Sequence, residues 1–259
     1  MIGQTALVIG LARQGMAVIK HLLSLDTNVI VTDLRSAEDL ATPIQDLSSY
    51  AIDFVLGEHP LSLLDDVDII FVSGGVPLDI PLLQEARAKD IPLSNDSQLV
   101  LEQLPCKVVG ITGSSGKTTT TLLTGKIIAA SQSYKNVWVG GNVGNPLLLD
   151  IHQMTDQDIA IMELSSFQLA IMTSSPNIAG VLNVSPNHLD RHSNMQEYVM
   201  AKEQILDAQQ SDDVAVLGWD NEITRKMSNR VRGHCWGFSM NSDANFDDGC
   251  FIENEKIML

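Results

Sequence analysis

The sequence predicts an α/β protein of two units, each a parallel sheet faced by helices. Three observations carry this. Short β-branched runs alternate with helix-period stretches, a glycine-bearing strand-to-helix turn opens each of two such series, and a polar break followed by proline separates them. At 259 residues, and roughly 150 residues per domain, two domains are also what length suggests.

Residues 6–10 (ALVIG) and 29–33 (VIVTD) read as strands because they are short, aliphatic and bounded by turn residues. Residues 14–25 between them carry apolar side chains at helical spacing, so the opening reads strand, helix, strand. Residues 52–56 and 68–72 continue the strands, 82–89 are helix-like, and 92–94 are briefly extended. A polar break at 95–97, a short helical QLVLEQL run and Pro105 close the first series, which places the first domain at residues 1–96 and the second at 97–259. The second series has strands expected at 108–112, 137–139, 159–164, 178–184 and 214–217, and helices at 118–130, 196–208 and 221–226. The tail from Ser239 is rich in Asn, Asp and Gly and then alternates through Phe251, Ile252, Ile257 and Leu259, like a hairpin. No internal repeat or low-complexity tract interrupts either series.

Thirty-two acidic residues against 16 Lys plus Arg leave a net charge of -16, the wrong sign for a nucleic-acid backbone. A nucleotide ligand would therefore need local cations and bound Mg²⁺. The three cysteines show no CxxC spacing, which fits a reducing cytosol. Residues 5–12 are apolar but are cut short by Arg13, and no run approaches the ~20 residues a membrane span needs. A cytoplasmic protein with no nucleic-acid or membrane partner is expected.

Gly10-Leu-Ala-Arg-Gln-Gly15 lies after the first strand and opens the first helix, with Asp33 ending the second strand. Ala12 stands where a dinucleotide fingerprint has its middle glycine, so the segment reads equally as a nucleotide turn over a helix N-terminus or as a plain tight turn. Gly113-Ser-Ser-Gly-Lys-Thr-Thr119 also follows a strand and opens a helix, the setting of a phosphate-cradling loop. Ile111 occupies the first position of the strict GxxxxGK[ST] spacing, and Gly110 and Gly113 provide the flexibility instead. Lys117 would reach the β and γ phosphates and the Thr118 hydroxyl would ligate Mg²⁺, with ATP the favoured ligand. Glu163 ends an apolar strand before Ser165 and Ser166, where a carboxylate could hold Mg²⁺. Residues 183–192 (NVSPNHLDRH) place His188 and His192 with an Asp and an Arg in one loop. Without an HExxH spacing or a nearby cysteine, a single His contact to metal or phosphate fits better than zinc. Lys202, taken alone, means little.

Together these segments resemble the Mur ligases, and within them the branch that adds D-glutamate. Seven ordered matches carry the resemblance: the glycine turn with Asp33 and Arg35, SGGVP from Ser73, GITGSSGKTTTT from Gly110, GGNVGNP from Gly140, MELSSFQL from Met162, NVSPNHLDRH from Asn183 and AKEQI from Ala201. The resemblance implies a Rossmann-like first domain binding the UDP part of UDP-N-acetylmuramoyl-L-alanine, and a P-loop ATPase α/β domain after it. Gly10, Leu11, Ala12, Arg13, Gln14 and Gly15 would surround the diphosphate, with Asp33 and Arg35 near the uracil. Gly74, Asn142, Ser165 and His188 would complete the substrate's contacts. ATP would lie on Gly113, Ser114, Ser115, Gly116, Lys117, Thr118 and Thr119. Thr118 and Glu163 would hold one Mg²⁺. A second Mg²⁺ would take His188 and Lys202, the lysine being carbamylated and so turned from cation to anion. Lys117, His188 and Lys202 would be the catalytic groups.

The implied reaction forms an acyl phosphate from the substrate carboxylate and then an amide with D-glutamate. The chain departs from the usual motifs at Ser115, at Asn187 before His188, and at Ser73-Gly-Gly. The family's third domain, which binds the incoming amino acid, has no counterpart here, so a two-domain fragment unable to finish ligation alone, and monomeric, is expected. Another Mur-type or folylpolyglutamate-type ligase, an NAD-binding oxidoreductase and a non-catalytic nucleotide-sugar-binding protein remain the alternatives.

Overall fold

The structure, a computed structural model, describes residues 3–187, 191–192 and 194–259. The chain divides into two compact units, Met1–Val100 with Leu148–His152, and Leu101–Leu147 with Gln153–Leu259.

In chain order the first unit runs β1 (Thr5–Ile9), α1 (Arg13–Ser24), β2 (Asn28–Asp33), α2 (Ala41–Asp46), β3 (Asp53–Leu56), a 3-10 turn at Leu61–Leu64, β4 (Ile69–Val72), α3 (Pro81–Ala88) and β5 (Leu93–Ser94). The helix α4 (Asp96–Gln103) follows. The five strands form one parallel sheet in the order β3-β2-β1-β4-β5. Ala6, Leu7, Val8 and Ile9 are all buried, as a central parallel strand covered on both faces requires. From β1 the chain goes first to one side and later returns to the other, so the crevice beyond the carboxyl ends of β1 and β4 is the switch point where such sheets bind ligands. The helix α1 can lie this close because residue 15 is glycine: a Cβ there would stand 1.9 Å from the Gly10 carbonyl oxygen. Its buried side, Ala17, Val18, Ile19 and Leu22, follows the helical spacing expected of it.

The second unit runs β6 (Lys107–Thr112), α5 (Lys117–Ser131), β7 (Val137–Gly141), β8 (Ile159–Glu163), α6 (Ser166–Leu169) and β9 (Ile178–Val181), while the 3-10 turns at Leu147–Leu149 and Ile151–Gln153 fall largely in the stretch Leu148–His152 that groups with the first unit. It continues with α7 (Met195–Asp207), β10 (Val214–Gly218), α8 (Glu222–Lys226), a 3-10 turn, β11 (His234–Ser239), β12 (Gly249–Glu253) and β13 (Lys256–Met258). Its eight strands lie in the order β13-β12-β11-β10-β9-β6-β8-β7, all parallel except the last hairpin. Val109, Ile111, Ile159 and Ile161 of β6 and β8 form a buried cluster, with Ile128 of α5 packed against it. β6 has β8 on one side and β9 on the other, so the loop leaving β6 stands at this sheet's own reversal point. Among the described residues no helix is long and apolar enough to cross a membrane.

Several expected elements differ. The polar break at 95–97 is a helix start: Asn95 Oδ1 accepts the N–H of Gln98, and Asp96 and Ser97 are buried. The strand expected over 178–184 stops at Val181, because beyond it Asn183 turns its carbonyl to the Ser114 N–H and its side chain to Ser115. The helices α2 and α6 were not expected; α2 has Pro43 in its first turn, and both are too short to show periodicity. β11 was hidden by Gly237 in its middle, where a Cβ would meet Phe246. The tail hairpin is β12–β13, turned by Asn254 and Glu255, both at positive φ.

Candidate functional site

A cleft of about 260 Å³ opens in the first unit beyond β1 and β4, with Gly10, Ala12, Asp33, Arg35, His59 and Ser73 in its wall. Asp33 ends β2 almost buried, and both its oxygens are taken. Oδ2 accepts the Leu11 N–H at 2.8 Å and Arg35 Nη2 at 2.7 Å, while Oδ1 accepts Arg35 Nε and the Arg35 backbone N–H, each at 3.0 Å. Burial pushes the Asp33 carboxyl up, but these hydrogen bonds and the Arg35 charge outweigh it and bring it down to about 2. The aspartate thus ties the glycine turn to Arg35 and holds the guanidinium, half exposed, at the cleft. Ser73 Oγ donates to the Gly10 carbonyl at 2.9 Å, and Gln14 Oε1 accepts the Gly74 N–H at 3.2 Å, joining the two loops. Of the residues expected around the diphosphate, Gly10 and Ala12 line the cleft, Arg13 is exposed on the first turn of α1, and Leu11 and Gly15 are buried in the turn's packing. In the second loop it is Gly75, not Gly74, that lines the cleft.

In the second unit the loop after β6 closes on Gly116, whose φ of +80° demands glycine, and α5 starts at Lys117. The first amides of α5 have no acceptor inside the helix, and its dipole presents positive charge there, which suits phosphate. Lys117 Nζ folds back to the Gly113 carbonyl at 3.0 Å. Thr118 Oγ1 donates to Glu163 Oε2 at 2.6 Å, and Asn142 Nδ2 donates to Glu163 Oε1 at 2.9 Å. The register pairs Ile111 with Glu163, so the buried carboxylate stands at the sheet's carboxyl edge beside the loop. Ser114 and Ser115, expected to touch ATP, are engaged otherwise. Ser114 N–H goes to the Asn183 carbonyl at 2.8 Å and its Oγ to the Ser185 carbonyl at 2.9 Å, and Ser115 N–H goes to Asn183 Oδ1 at 3.0 Å.

Lys202 is 1% exposed, under the same loop. Its Nζ donates to the Gly113 carbonyl at 3.0 Å and lies 4.7 Å from the centre of the Tyr198 ring. Tyr198 and Lys202 are four residues apart on α7 and share one face of it, and Tyr198 Oη meets Ser114 Oγ at 3.0 Å. Burial, and then the nearby charge of Lys117, bring the Lys202 amine down to about 7. Two lysines therefore meet at one carbonyl, and one of them is half neutral near physiological pH.

His192 is buried, stacked on Phe167 at 5.1 Å, and hydrogen-bonded through Nε2 to Ser166 Oγ at 2.9 Å, which makes it a packing residue. His188 lies outside the described residues. Ser165, expected to touch substrate, caps α6: its Oγ accepts the Gln168 N–H and its own N–H donates to Gln168 Oε1 at 3.0 Å. Ser165→Ala should cost about 1 kcal/mol of stability in urea unfolding, the usual worth of a cap.

The Thr118 hydroxyl and the Glu163 carboxylate, already in contact, are hard oxygen donors of the kind Mg²⁺ takes while keeping waters and phosphate oxygens for its other positions. Among the described residues no group of three or more His, Cys, Asp or Glu gathers for a metal. Sequence reasoning passed over Tyr198, whose signal was its four-residue spacing from Lys202, and His59, which had none beyond a polar residue after a strand.

The family description "Mur ligase middle domain" matches residues 111–256, and "Mur ligase MurD-like, N-terminal domain" matches residues 4–95. The UDP-N-acetylmuramoylalanine–D-glutamate ligase of Clostridium kluyveri is 39% identical over 252 residues, 97% of this chain and 54% of that protein. The ligase of the same description from Symbiobacterium thermophilum is 37% identical over 255 residues, 98% and 56% of the two. The chain thus spans about half the length of the curated relatives it matches. Among solved structures, the UDP-N-acetylmuramate:L-alanyl-gamma-D-glutamyl-meso-diaminopimelate ligase of Neisseria meningitides gives a TM-score of 0.58 at 13% identity, over 91% of this chain and 78% of that one. A murein peptide ligase of Psychrobacter arcticus gives 0.54 at 11%, over 96% and 56%. At such identities the structures speak to the fold alone. The family matches at the sequence level, taken with the phosphate loop and the glycine-turn cleft described above, place this chain in the Mur ligase family.

Proposed function

We propose that the chain supplies the two nucleotide-handling units of an ATP-dependent, ADP-forming ligase that joins D-glutamate to UDP-N-acetylmuramoyl-L-alanine, a cytoplasmic step of peptidoglycan precursor synthesis. The proposal concerns the whole protein's activity, since the relatives named for that reaction are about twice as long. The observation that carries it is the convergence of Lys117 and Lys202 on the Gly113 carbonyl, with the Thr118–Glu163 pair at the adjoining strand end.

The reaction begins when a carboxylate oxygen of the substrate attacks the γ-phosphorus and the bond to the β-phosphate oxygen breaks, leaving an acyl phosphate and ADP. The D-glutamate nitrogen then attacks the acyl carbon, phosphate departs, and the nitrogen loses a proton. Such a transfer is helped chiefly by positioning and by charge placed where charge develops. In this reading Lys117 releases Gly113 and turns its ammonium to the γ-phosphate, while the first amides of α5 hold the neighbouring oxygens. Glu163 and Thr118 would hold Mg²⁺, whose charge would offset that of the phosphates. Asn142, bonded to Glu163, keeps that carboxylate oriented and would contact the muramoyl substrate. In the first cleft the Arg35 guanidinium, fixed by Asp33, meets the uridine diphosphate.

Lys202 fits carbamylation. The reaction needs a neutral amine, and an amine brought to about 7 supplies one at neutral pH: the neutral nitrogen adds to CO₂ and loses one proton, leaving an anion where the protonated lysine would be a cation. With His188, that anion would serve a second Mg²⁺. Loading the protein with isotope-labelled bicarbonate should give a carbamate carbon signal that Lys202→Met lacks.

The direct test is calorimetry of this chain with UDP-N-acetylmuramoyl-L-alanine and, in parallel, NAD⁺. Saturable binding of the first alone is expected. Binding of NAD⁺ alone would make the first cleft an oxidoreductase site and overturn the reading.

A further inference from the structure

His59 follows β3 in the chain and belongs to the wall of the first cleft, with Asp33, Arg35, Pro77 and Ile80. Its Nδ1 lies 2.8 Å from Thr32 Oγ1, and that hydroxyl lies 3.0 Å from the Glu58 carbonyl oxygen. A hydroxyl has one proton and a carbonyl oxygen can only accept. Both contacts are hydrogen bonds only if Thr32 donates to Glu58 and the His59 Nδ1–H donates to Thr32. The ring proton is then fixed on Nδ1, and Nε2, on the opposite edge, keeps a lone pair while the ring is neutral. Burial pushes the imidazole toward that neutral form, against the pull of the Asp33 charge. Among the described residues no protein group bonds Nε2.

We propose that His59 is the base-selecting residue of this cleft, its Nε2 accepting a hydrogen bond from a ligand N–H, which in a uridine ligand is the imide N3–H. Cytosine carries a lone pair at that ring position, so two acceptors would face each other and the ligand would be rejected by repulsion as well as by a lost bond. The inference rests on the reading of the first cleft as the uridine nucleotide site. It explains why a threonine and a backbone carbonyl are spent on orienting one imidazole.

The test is displacement of bound UDP-N-acetylmuramoyl-L-alanine by UDP, CDP and N3-methyl-UDP, for the wild-type chain and His59→Ala. The wild type should prefer UDP to the other two by about tenfold, the worth of one good hydrogen bond, and His59→Ala should lose the preference. If His59 only braces Thr32, all three weaken together and the ratio stays, which overturns the proposal. If the wild type binds no UDP-N-acetylmuramoyl-L-alanine, the underlying reading of the cleft fails, and this one with it. A check free of any variant is nitrogen NMR of the wild-type imidazole: Nε2 should resonate as an unprotonated nitrogen and shift when UDP is added, and a protonated Nε2 in the neutral ring would overturn the tautomer argument.

Discussion

Lys117→Ala should weaken ATP binding to this chain by about a hundredfold, near 2.7 kcal/mol, while leaving the affinity for UDP-N-acetylmuramoyl-L-alanine within about twofold. The first effect is expected because Lys117 is the cation that opens α5, in a chain of net charge -16 where phosphate otherwise meets a repelling background. The second is expected because the cleft proposed for the uridine nucleotide is lined by Gly10, Asp33, Arg35 and Ser73 in the other unit. A further consequence separates this variant from a merely unfolded one. The Lys117 charge is one of the two causes that lower the Lys202 amine, so its removal should raise that amine above about 7, leave less of it neutral at pH 7, and reduce carbamate formation. Calorimetry with each ligand, alongside the labelled-bicarbonate signal, reads all three effects. Loss of both ligands together would mean that the assignment of ligands to units is wrong.

The parallel sheets were legible in the sequence because strands covered on both faces are written as unbroken aliphatic runs, as in Ala6 to Ile9 and Ile159 to Met162. The strand–loop–helix turn at residues 113–119 was legible for a different reason: glycine, lysine and threonine at that spacing mark the end of a strand and the start of a helix. What stayed hidden depends on contacts between segments far apart in the chain. Nothing near Ser114 says that its hydroxyl is held by Ser185 and Tyr198, some 71 and 84 residues away. Asp33 was read from its position at a strand end, but its pairing with Arg35 two residues on, and hence the aim of the guanidinium, is set by the backbone turn. The polar residues at 95–97 read as a linker because polarity usually marks exposure, whereas here Asn95 caps a helix and its neighbours are buried with their partners supplied.

Lys202→Met should remove a pH dependence of stability that the wild type has. The amine stands at about 7 in the folded chain against an ordinary 10.5, so between those values the unfolded chain binds a proton that the folded one does not. Stability therefore rises with pH across that window, and below about 7 the folded state bears the full cost of a buried cation beside Lys117. With about 1.4 kcal/mol per pH unit, the rise is on the order of 3–5 kcal/mol. Cysteine and tyrosine side chains titrate in the same range, so the observable is the wild-type value minus that of Lys202→Met, measured by urea unfolding at steps from pH 6.5 to about 10 with carbon dioxide excluded. A methionine of similar length fills the space under Tyr198 without a charge, so the variant should be the more stable of the two at neutral pH, as when buried charges elsewhere give way to apolar groups. Bicarbonate should then stabilise the wild type near neutral pH and leave the variant unchanged, because an adduct formed only in the folded state stabilises by mass action. A wild type and variant with parallel pH curves would show that Lys202 does not titrate near 7, and would remove the physical basis for its carbamylation.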